Sequence, residues 1–301
     1  MHVKSILVSG AAGFIGDQVL KRLSAKGHKV LGLDSRPGRP NSPIVVADIS
    51  TNNLSQSLQN EKFDCIVHCA AQTDVRASVE DPVNDLLINS LGTLKLVQYA
   101  ESAGIENFLY INSGGAIYSN ENLPLNENSV IRPASPYGLS KFVGEEYLRI
   151  LSGKSGMKWS SLALSNVYGD ITFNKKGVIF EFAKAIKSKH TPVIYGSEIT
   201  RDFIHVDDVL SAVEISINHP INERINISSN KETSILDVYK LVSKHFNHSE
   251  MPQIEDPRFG EITRSCLDNS KAKKLMGWVP TIDIVSGVQD SLKSVNHETI
   301  L

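Results

Sequence analysis

The segment "SPYGLSK" sets Tyr137 and Lys141 four residues apart in a helical pattern, so both side chains leave the same face. A phenol titrating near pH 10 is a poor base at neutrality, but a neighbouring ammonium and a positively charged ring on a bound hydride acceptor both favour the phenolate and lower that value. Such a pair can take a proton from an alcohol while a hydride leaves the same carbon. A tyrosine beside a lysine is also an ordinary surface arrangement, and the pair gains weight only from what stands near the N-terminus.

There, "VSGAAGFIG" places Gly10, Gly13 and Gly16 between a short apolar run and a helical pattern. Glycines at that spacing permit a tight turn and a close approach of backbone to a pyrophosphate, and the helix N-terminus adds N–H donors and partial positive charge. A tight strand-to-helix turn alone would also use them. Asp34, 18 residues after Gly16, ends the next apolar run, where a carboxylate hydrogen-bonds both hydroxyls of an adenosine ribose. The expected cofactor is NAD, with Phe14, Ile15, Ser35 and Ile49 among the residues along it. Arg36 and Arg39 follow closely and would suit a 2′-phosphate, which keeps NADP as the alternative. Asp48, after the third run, is placed either to reach the adenine amino group or to cap the next turn.

The elements that must hold these residues are legible as an alternation. Short apolar runs at 6–9, 29–33, 44–47, 65–68, 108–111 and 160–164 are separated by helical patterns at 14–26, 84–103 and 136–154. Gly27 and Gly104 stop the first two helices. The alternation predicts an α/β fold, a Rossmann-type doubly wound parallel sheet, followed by a smaller C-terminal α/β lobe. Residues 1–165, with a return of about 200–227, are expected to form the NAD-binding domain; 166–199 and 228–301 form the smaller lobe.

A chain of 301 residues with 41% apolar residues can bury a sizeable core, and a net charge of -2 without long runs of one sign favours neither nucleic acid nor a membrane surface as partner. Cys65, Cys69 and Cys266 form no disulfide framework or zinc spacing, so a reducing cytoplasm is expected and no metal. The N-terminus does not read as a signal peptide, and no apolar stretch is long enough to span a bilayer.

Together, the three glycines, Asp34, "HCAA" at 68–71, Asn89, and Tyr137 with Lys141 resemble the extended short-chain dehydrogenase/reductases. The likeness is to their sugar-nucleotide epimerase/dehydratase branch, in its UDP-glucose 4-epimerase-like members, and covers nearly the whole chain. It implies that Lys141 also holds the nicotinamide ribose, that Ala70 and Ala71 lie along the cofactor, and that Asn89 sits behind the active site. Sheet packing for the alanines and a helix N-cap for Asn89 are the plainer alternatives.

The resemblance extends to a nucleotide-sugar clamp. "SNVYG" puts Asn166 where relatives contact the diphosphate, "KGVIFEF" resembles a helix start that receives it near Val178, "RDFIHVDDV" supplies Arg201, and "PRFGE" supplies Arg258 and Glu261. Planar guanidinium forks suit a diphosphate, and a glutamate accepts from a ribose hydroxyl. Asp207 reads as the N-cap of the helix that follows. Ala163, Asp170 and Ser119 depart from the usual family pattern.

Dehydratases of this branch carry an Asp-Glu pair beside a threonine after the fifth strand, where this chain has Gly114, Gly115 and Ala116; a decarboxylase keeps a glutamate there. By the resemblance, an NAD-dependent 4-epimerase of a UDP-hexose remains. The alternatives are a 4-keto-sugar reductase or sugar-nucleotide dehydrogenase, and a non-catalytic dinucleotide sensor. The family's hydroxyl residue falls on Gly114, so Ser113 is expected to take its part at the reacting oxygen, with a water as the rival. The helices near 84–103 and 136–154 are expected to pair two subunits into a homodimer.

Overall fold

Apolar runs flanked by turn residues become strands buried on both faces. In the computed structural model, which describes residues 2–40, 42–51, 53–58, 61–119, 122–171, 177–257 and 262–293, these are β1 Ser5–Ser9, β2 Lys29–Asp34, β3 Ile44–Val46, β4 Cys65–His68, β5 Asn107–Ser113 and β6 Lys158–Leu164. With β10, Arg224–Ile227, they form a sheet of order β10-β6-β5-β4-β1-β2-β3 in which every pairing is parallel. The strand order reverses between β1 and β4, and this opens a crevice at the carboxyl ends of those two strands. The remaining strands, β7 Asn166–Tyr168, β8 Val193–Tyr195, β9 Thr200–His205, β11 Glu232–Ser234 and β12 Gln253–Glu255, make two small sheets, β11-β9-β7 and β12-β8.

The helices are α1 Phe14–Ala25, α2 Leu54–Ser57, α3 Val75–Glu80, α4 Pro82–Leu86, α5 Gly92–Ser102, α6 Gly114–Ile117, α7 Pro136–Ser155, α8 Val178–Lys187, α9 Val206–Asn218, α10 Ile235–His245, α11 Ser270–Met276 and α12 Ile284–Leu292. Alternation along β1 shows how they cover the sheet. Ile6 and Val8 face the core shared with Leu23 of α1 and Val209 of α9, while Leu7 faces the core shared with Leu96 of α5 and Leu148 of α7. A third core, with Phe182, Phe203, Tyr239 and Val288, closes the smaller lobe between α8, α10 and α12.

The single helix expected over 84–103 is interrupted. Between α4 and α5 the chain makes a wider turn at Leu87–Leu91, closed by the Gly92 amide on the Leu87 carbonyl. Asn89, 1% exposed, lies inside that turn and is therefore no N-cap. Its Oδ1 accepts from the Gln72 amide at 2.9 Å, and its Nδ2 donates to the Gln72 carbonyl and to Asp85 Oδ1, each at 2.9 Å. One side chain thus ties the segment after β4 to the helix behind it.

The helix start at α9 corrects another expectation. Its N-cap is His205, whose Nδ1 accepts from the Asp207 amide at 3.2 Å, and Asp207 lies within the first turn. Burial pushes the His205 imidazole below its ordinary pKa, which leaves that nitrogen free to accept.

Candidate active site

The glycine turn sits at the switch point, and crowding explains its residues. Gly10 has φ +71°, and a Cβ there would stand 2.5 Å from the Ala70 amide nitrogen. A Cβ on Gly16 would stand 2.1 Å from the Gly10 carbonyl oxygen, so α1 can seat against the turn only without one. Gly13 is the N-cap of α1 and offers no side chain to its first amides, which leaves room for a phosphate to accept from them. Phe14 and Ile15 open the helix. The cradle fits a dinucleotide pyrophosphate, with Ala70 and Ala71 across from it.

Asp34 ends β2 with its carboxylate already shaped by the backbone: Oδ2 accepts from the Ala12 amide and Oδ1 from the Arg36 amide, each at 3.0 Å. These hold it at the rim of the turn, beside Ser35, where it can accept from ribose hydroxyls. Arg36 Nε lies 3.5 Å from Asp34 Oδ1, and Arg39 Nε lies 3.7 Å from Asp17 Oδ1, so both guanidiniums face carboxylates. Asp48 accepts from the amide and the hydroxyl of Ser50, at 2.8 and 2.7 Å, and so caps its turn, with Ile49 buried next to it.

Tyr137 and Lys141 lie on α7, whose start is fixed by Ser135 accepting from the Gly138 amide and by Pro136 in the first turn. Both are buried, at 9% and 3% exposure. Ser113, at the end of β5, stands close enough to the Tyr137 phenol to pull its pKa down. Lys141 Nζ donates to the Ile111 carbonyl at 2.8 Å and lies 4.1 Å from the centre of the Tyr110 ring. Ser113, Tyr137 and Lys141 therefore converge where β5 ends.

The electrostatics of the chain alone are set by burial. Burial pushes the Tyr137 phenol above its ordinary value; Ser113 pulls it back and the charge of Asp85 raises it further. Burial also pulls Lys141 down to about 7, opposed by Cys69, Glu145 and Asp85. The lysine is engaged with a carbonyl and an aromatic face, so within the chain alone burial outweighs the groups that would favour the Tyr137 phenolate.

The turn "NSGGAIYS" has two glycines with different reasons. A Cβ on Gly114 would stand 2.5 Å from Leu267 Cδ1 and 3.2 Å from the Ala163 carbonyl, whereas one on Gly115 would meet only Ser265 Oγ at 3.5 Å. A side chain at 114 is thus crowded out, and the hydroxyl moves one residue back, to the last position of β5. Ser113 caps α6 without bonding to its amides, which leaves its hydroxyl for Tyr137.

Asn166 begins β7, exposed and two residues beyond Leu164, the register partner of Ser113 across β5 and β6. Arg201 lies on β9, where its Nη1 donates to the Thr200 carbonyl at 2.9 Å and to that of Thr263 at 3.5 Å. Thr263, together with Tyr195, Ser197, Ile199, Ile254 and Pro257, lines a cleft of about 690 Å³. Val178 opens α8, with its N-cap at Gly177 again free of a capping side chain. Arg258 and Glu261 lie outside the described residues. Reading the sequence missed Asn112, Asp85, Glu145 and Arg224, all of which reach the site from behind; only Glu145, four residues after Lys141, left a local signal.

A dinucleotide cradle at the switch point of a doubly wound sheet, with Ser113, Tyr137 and Lys141 at its mouth, defines an enzyme of the NAD-dependent sugar-nucleotide epimerase/dehydratase kind. The chain belongs to the NAD dependent epimerase/dehydratase family, whose model matches residues 6–228. It is 37% identical over 294 residues to a putative UDP-glucose 4-epimerase of Methanocaldococcus jannaschii, covering 94% of this chain and 96% of that one. Among solved structures it is similar to the UDP-glucose 4-epimerase of Thermotoga maritima with UDP-glucose, at TM-score 0.91 and 30% identity over 96% of this chain and 97% of that chain. It is similar also to the Thermus thermophilus UDP-glucose 4-epimerase complex with NAD, at TM-score 0.88 and 28% identity over 97% of this chain and all of that one. NAD is the cofactor.

Proposed function

We propose that this protein is an NAD-dependent 4-epimerase of a UDP-hexose, acting on UDP-glucose and UDP-galactose or an N-acetyl or uronate analogue. The observation that carries the reading is the meeting of Ser113, Tyr137 and Lys141 beside a turn that has no acid or base at 114–116. Gly10, Gly13, Gly16, Asp34, Asp48, Ala70 and Ala71 hold the cofactor, with Asn89 bracing the segment behind it. When bound, NAD brings a positively charged nicotinamide ring that favours the Tyr137 phenolate and takes and returns the hydrogen of the sugar carbon.

The chain's part is proton handling and orientation. Ser113 Oγ hydrogen-bonds the C4 oxygen, and Tyr137 Oη removes the hydroxyl proton and later gives it back to the epimeric alcohol. Lys141 turns from the Ile111 carbonyl towards the ribose and keeps positive charge beside the phenol. Asn166, Val178 at its helix start, Arg201, Arg258 and Glu261 hold the nucleotide. Residues 1–165 with about 200–227 serve the cofactor, and the rest serve the sugar nucleotide.

Two copies pair through α3, α4 and α7: Val79, Val83, Leu86, Leu139 and Ile150 are exposed on these mutually packed helices, an apolar surface suited to a second copy of this chain. No helix among the described residues is long and apolar enough to cross a membrane, which fits the cytoplasmic location proposed for such a reaction.

A panel of UDP-hexoses with and without N-acetyl and uronate groups, each followed by proton NMR, tests the reading; interconversion of at least one C4 pair is expected, and inertness to all would defeat it. Ser113→Ala removes a hydrogen bond to a group that gains charge, so kcat is expected to fall about 10- to 100-fold. A loss of only a few-fold would show that a water does the work assigned to Ser113.

A further inference from the structure

Tyr137, Lys141 and Glu145 recur at four-residue intervals on α7, and the third has no part in the proton transfer. Its carboxylate, 2% exposed, is nevertheless fully engaged. Arg224 of β10 grips it with Nε, 2.8 Å from Oε1, and with Nη2; Ser161 Oγ donates to Oε2; and Asn112 Nδ2 donates to Oε2 at 2.6 Å. Asn112 passes the constraint on, its Oδ1 accepting the Ser113 amide at 2.8 Å. A chain of contacts thus runs from the edge strand of the main sheet to the residue whose hydroxyl meets Tyr137.

A buried ion pair adds little to stability once desolvation is counted, and apolar side chains of similar volume pack as well. Its position suggests another use. We propose that Glu145 is a positioning residue of the reaction centre: gripped by Arg224, it fixes Asn112 and with it Ser113, and it stands one helical turn beyond Lys141 on the same helix. The inference rests on reading Tyr137 and Lys141 as the reacting pair.

The groups facing Lys141 come from several elements: His68 on β4 and Cys69 just after it, Tyr110 on β5, Asp85 on α4, and Tyr137 and Glu145 on its own helix. Burial, reinforced by Lys141, holds His68 well below its ordinary value, and its ring nitrogens lie 2.6 Å from Ser9 Oγ and 2.8 Å from Thr93 Oγ1. Burial pushes the Cys69 thiol up to about 12, so it is neutral near pH 7, and pushes the Tyr110 phenol well above its ordinary value. The two carboxylates remain as the negative charges. Asp85 also accepts from Ser140, Asn89 and Gln72, whereas Glu145 is joined to the Ser113 end of the site. Removing the Glu145 charge therefore lowers the Lys141 midpoint further, and the ammonium is lost at a lower pH.

Heteronuclear NMR of the lysine side-chain amino groups in NAD-loaded protein reads this directly, with the Lys141 signal assigned by its loss in Lys141→Met. In Glu145→Gln the Lys141 midpoint is expected to fall by about one pH unit. That variant strands Arg224, so Glu145→Gln/Arg224→Met, which removes both buried charges, is measured beside it; there a smaller downward shift is expected, because loss of the guanidinium offsets part of the loss of the carboxylate. A Lys141 midpoint in folded Glu145→Gln within about 0.2 unit of the wild-type value, or a larger downward shift in the double variant than in the single one, overturns the proposal. Asn112→Ala leaves the charges in place and is expected to lower kcat about tenfold at an unchanged KM without moving the Lys141 midpoint; an unchanged kcat overturns the positional half. The midpoint is read without turnover, so a wild-type protein inert towards nucleotide sugars would defeat the functional reading alone.

Discussion

Tyr137→Phe is expected to lower turnover of the sugar nucleotide by about a thousandfold, while the purified protein keeps its NAD. The ring is buried and packed, so phenylalanine fills the same space and only the hydroxyl is lost. That hydroxyl faces Ser113 and is the group proposed to take and return the C4 proton. Lys141 donates to the Ile111 carbonyl, and Ser113 lacks a base of its own. Turnover under saturating substrate, with the cofactor content read by absorbance of the denatured protein, checks both halves. Turnover within a few-fold of wild type would remove Tyr137 from the mechanism.

Gly16→Ala is expected to destabilise the protein by about 3 kcal/mol or more and to empty it of NAD. The added Cβ would fall 2.1 Å from the Gly10 carbonyl oxygen and 2.7 Å from its carbon, both backbone atoms that no rotamer change can move aside. Relief requires α1 to lift from the turn, which displaces the helix N-terminus that faces the pyrophosphate. Thermal unfolding is expected to shift down by roughly 6 °C or more. The same assay on Gly115→Ala provides a contrast, because its Cβ meets only a serine hydroxyl at 3.5 Å, and stability close to wild type is expected there.

Residues that act through local spacing were legible without coordinates. The glycines need only a strand before them and a helix after, Asp34 needs only the end of the next strand, and Tyr137 and Lys141 need only one helical turn between them. Ser113 was legible as an adjacent hydroxyl, but the approach of Leu267 and Ala163 to the next position was not, because those contacts join distant parts of the chain. Glu145 shows the limit more sharply. A carboxylate on a helix reads by default as a solvated group, and its burial depends on Arg224 arriving 79 residues later on the edge strand of the sheet. The burial of Tyr137 was not legible for a related reason: a lysine one turn away suggests a nearby ammonium, but helix spacing does not show that Lys141 donates to the Ile111 carbonyl. Likewise, the capping of α9 by His205 in place of Asp207 depends on a two-residue shift in where the helix begins.

The central claim is that Tyr137 works with a tightly held NAD to invert C4 of a UDP-hexose within one closed site. The most direct measurement is proton NMR of UDP-galactose incubated with the protein in D2O, with no cofactor added. The account predicts conversion to UDP-glucose with the C4 hydrogen retained as protium, because it leaves and returns without meeting solvent. Conversion that depends on added NAD, or deuterium appearing at C4, would contradict it.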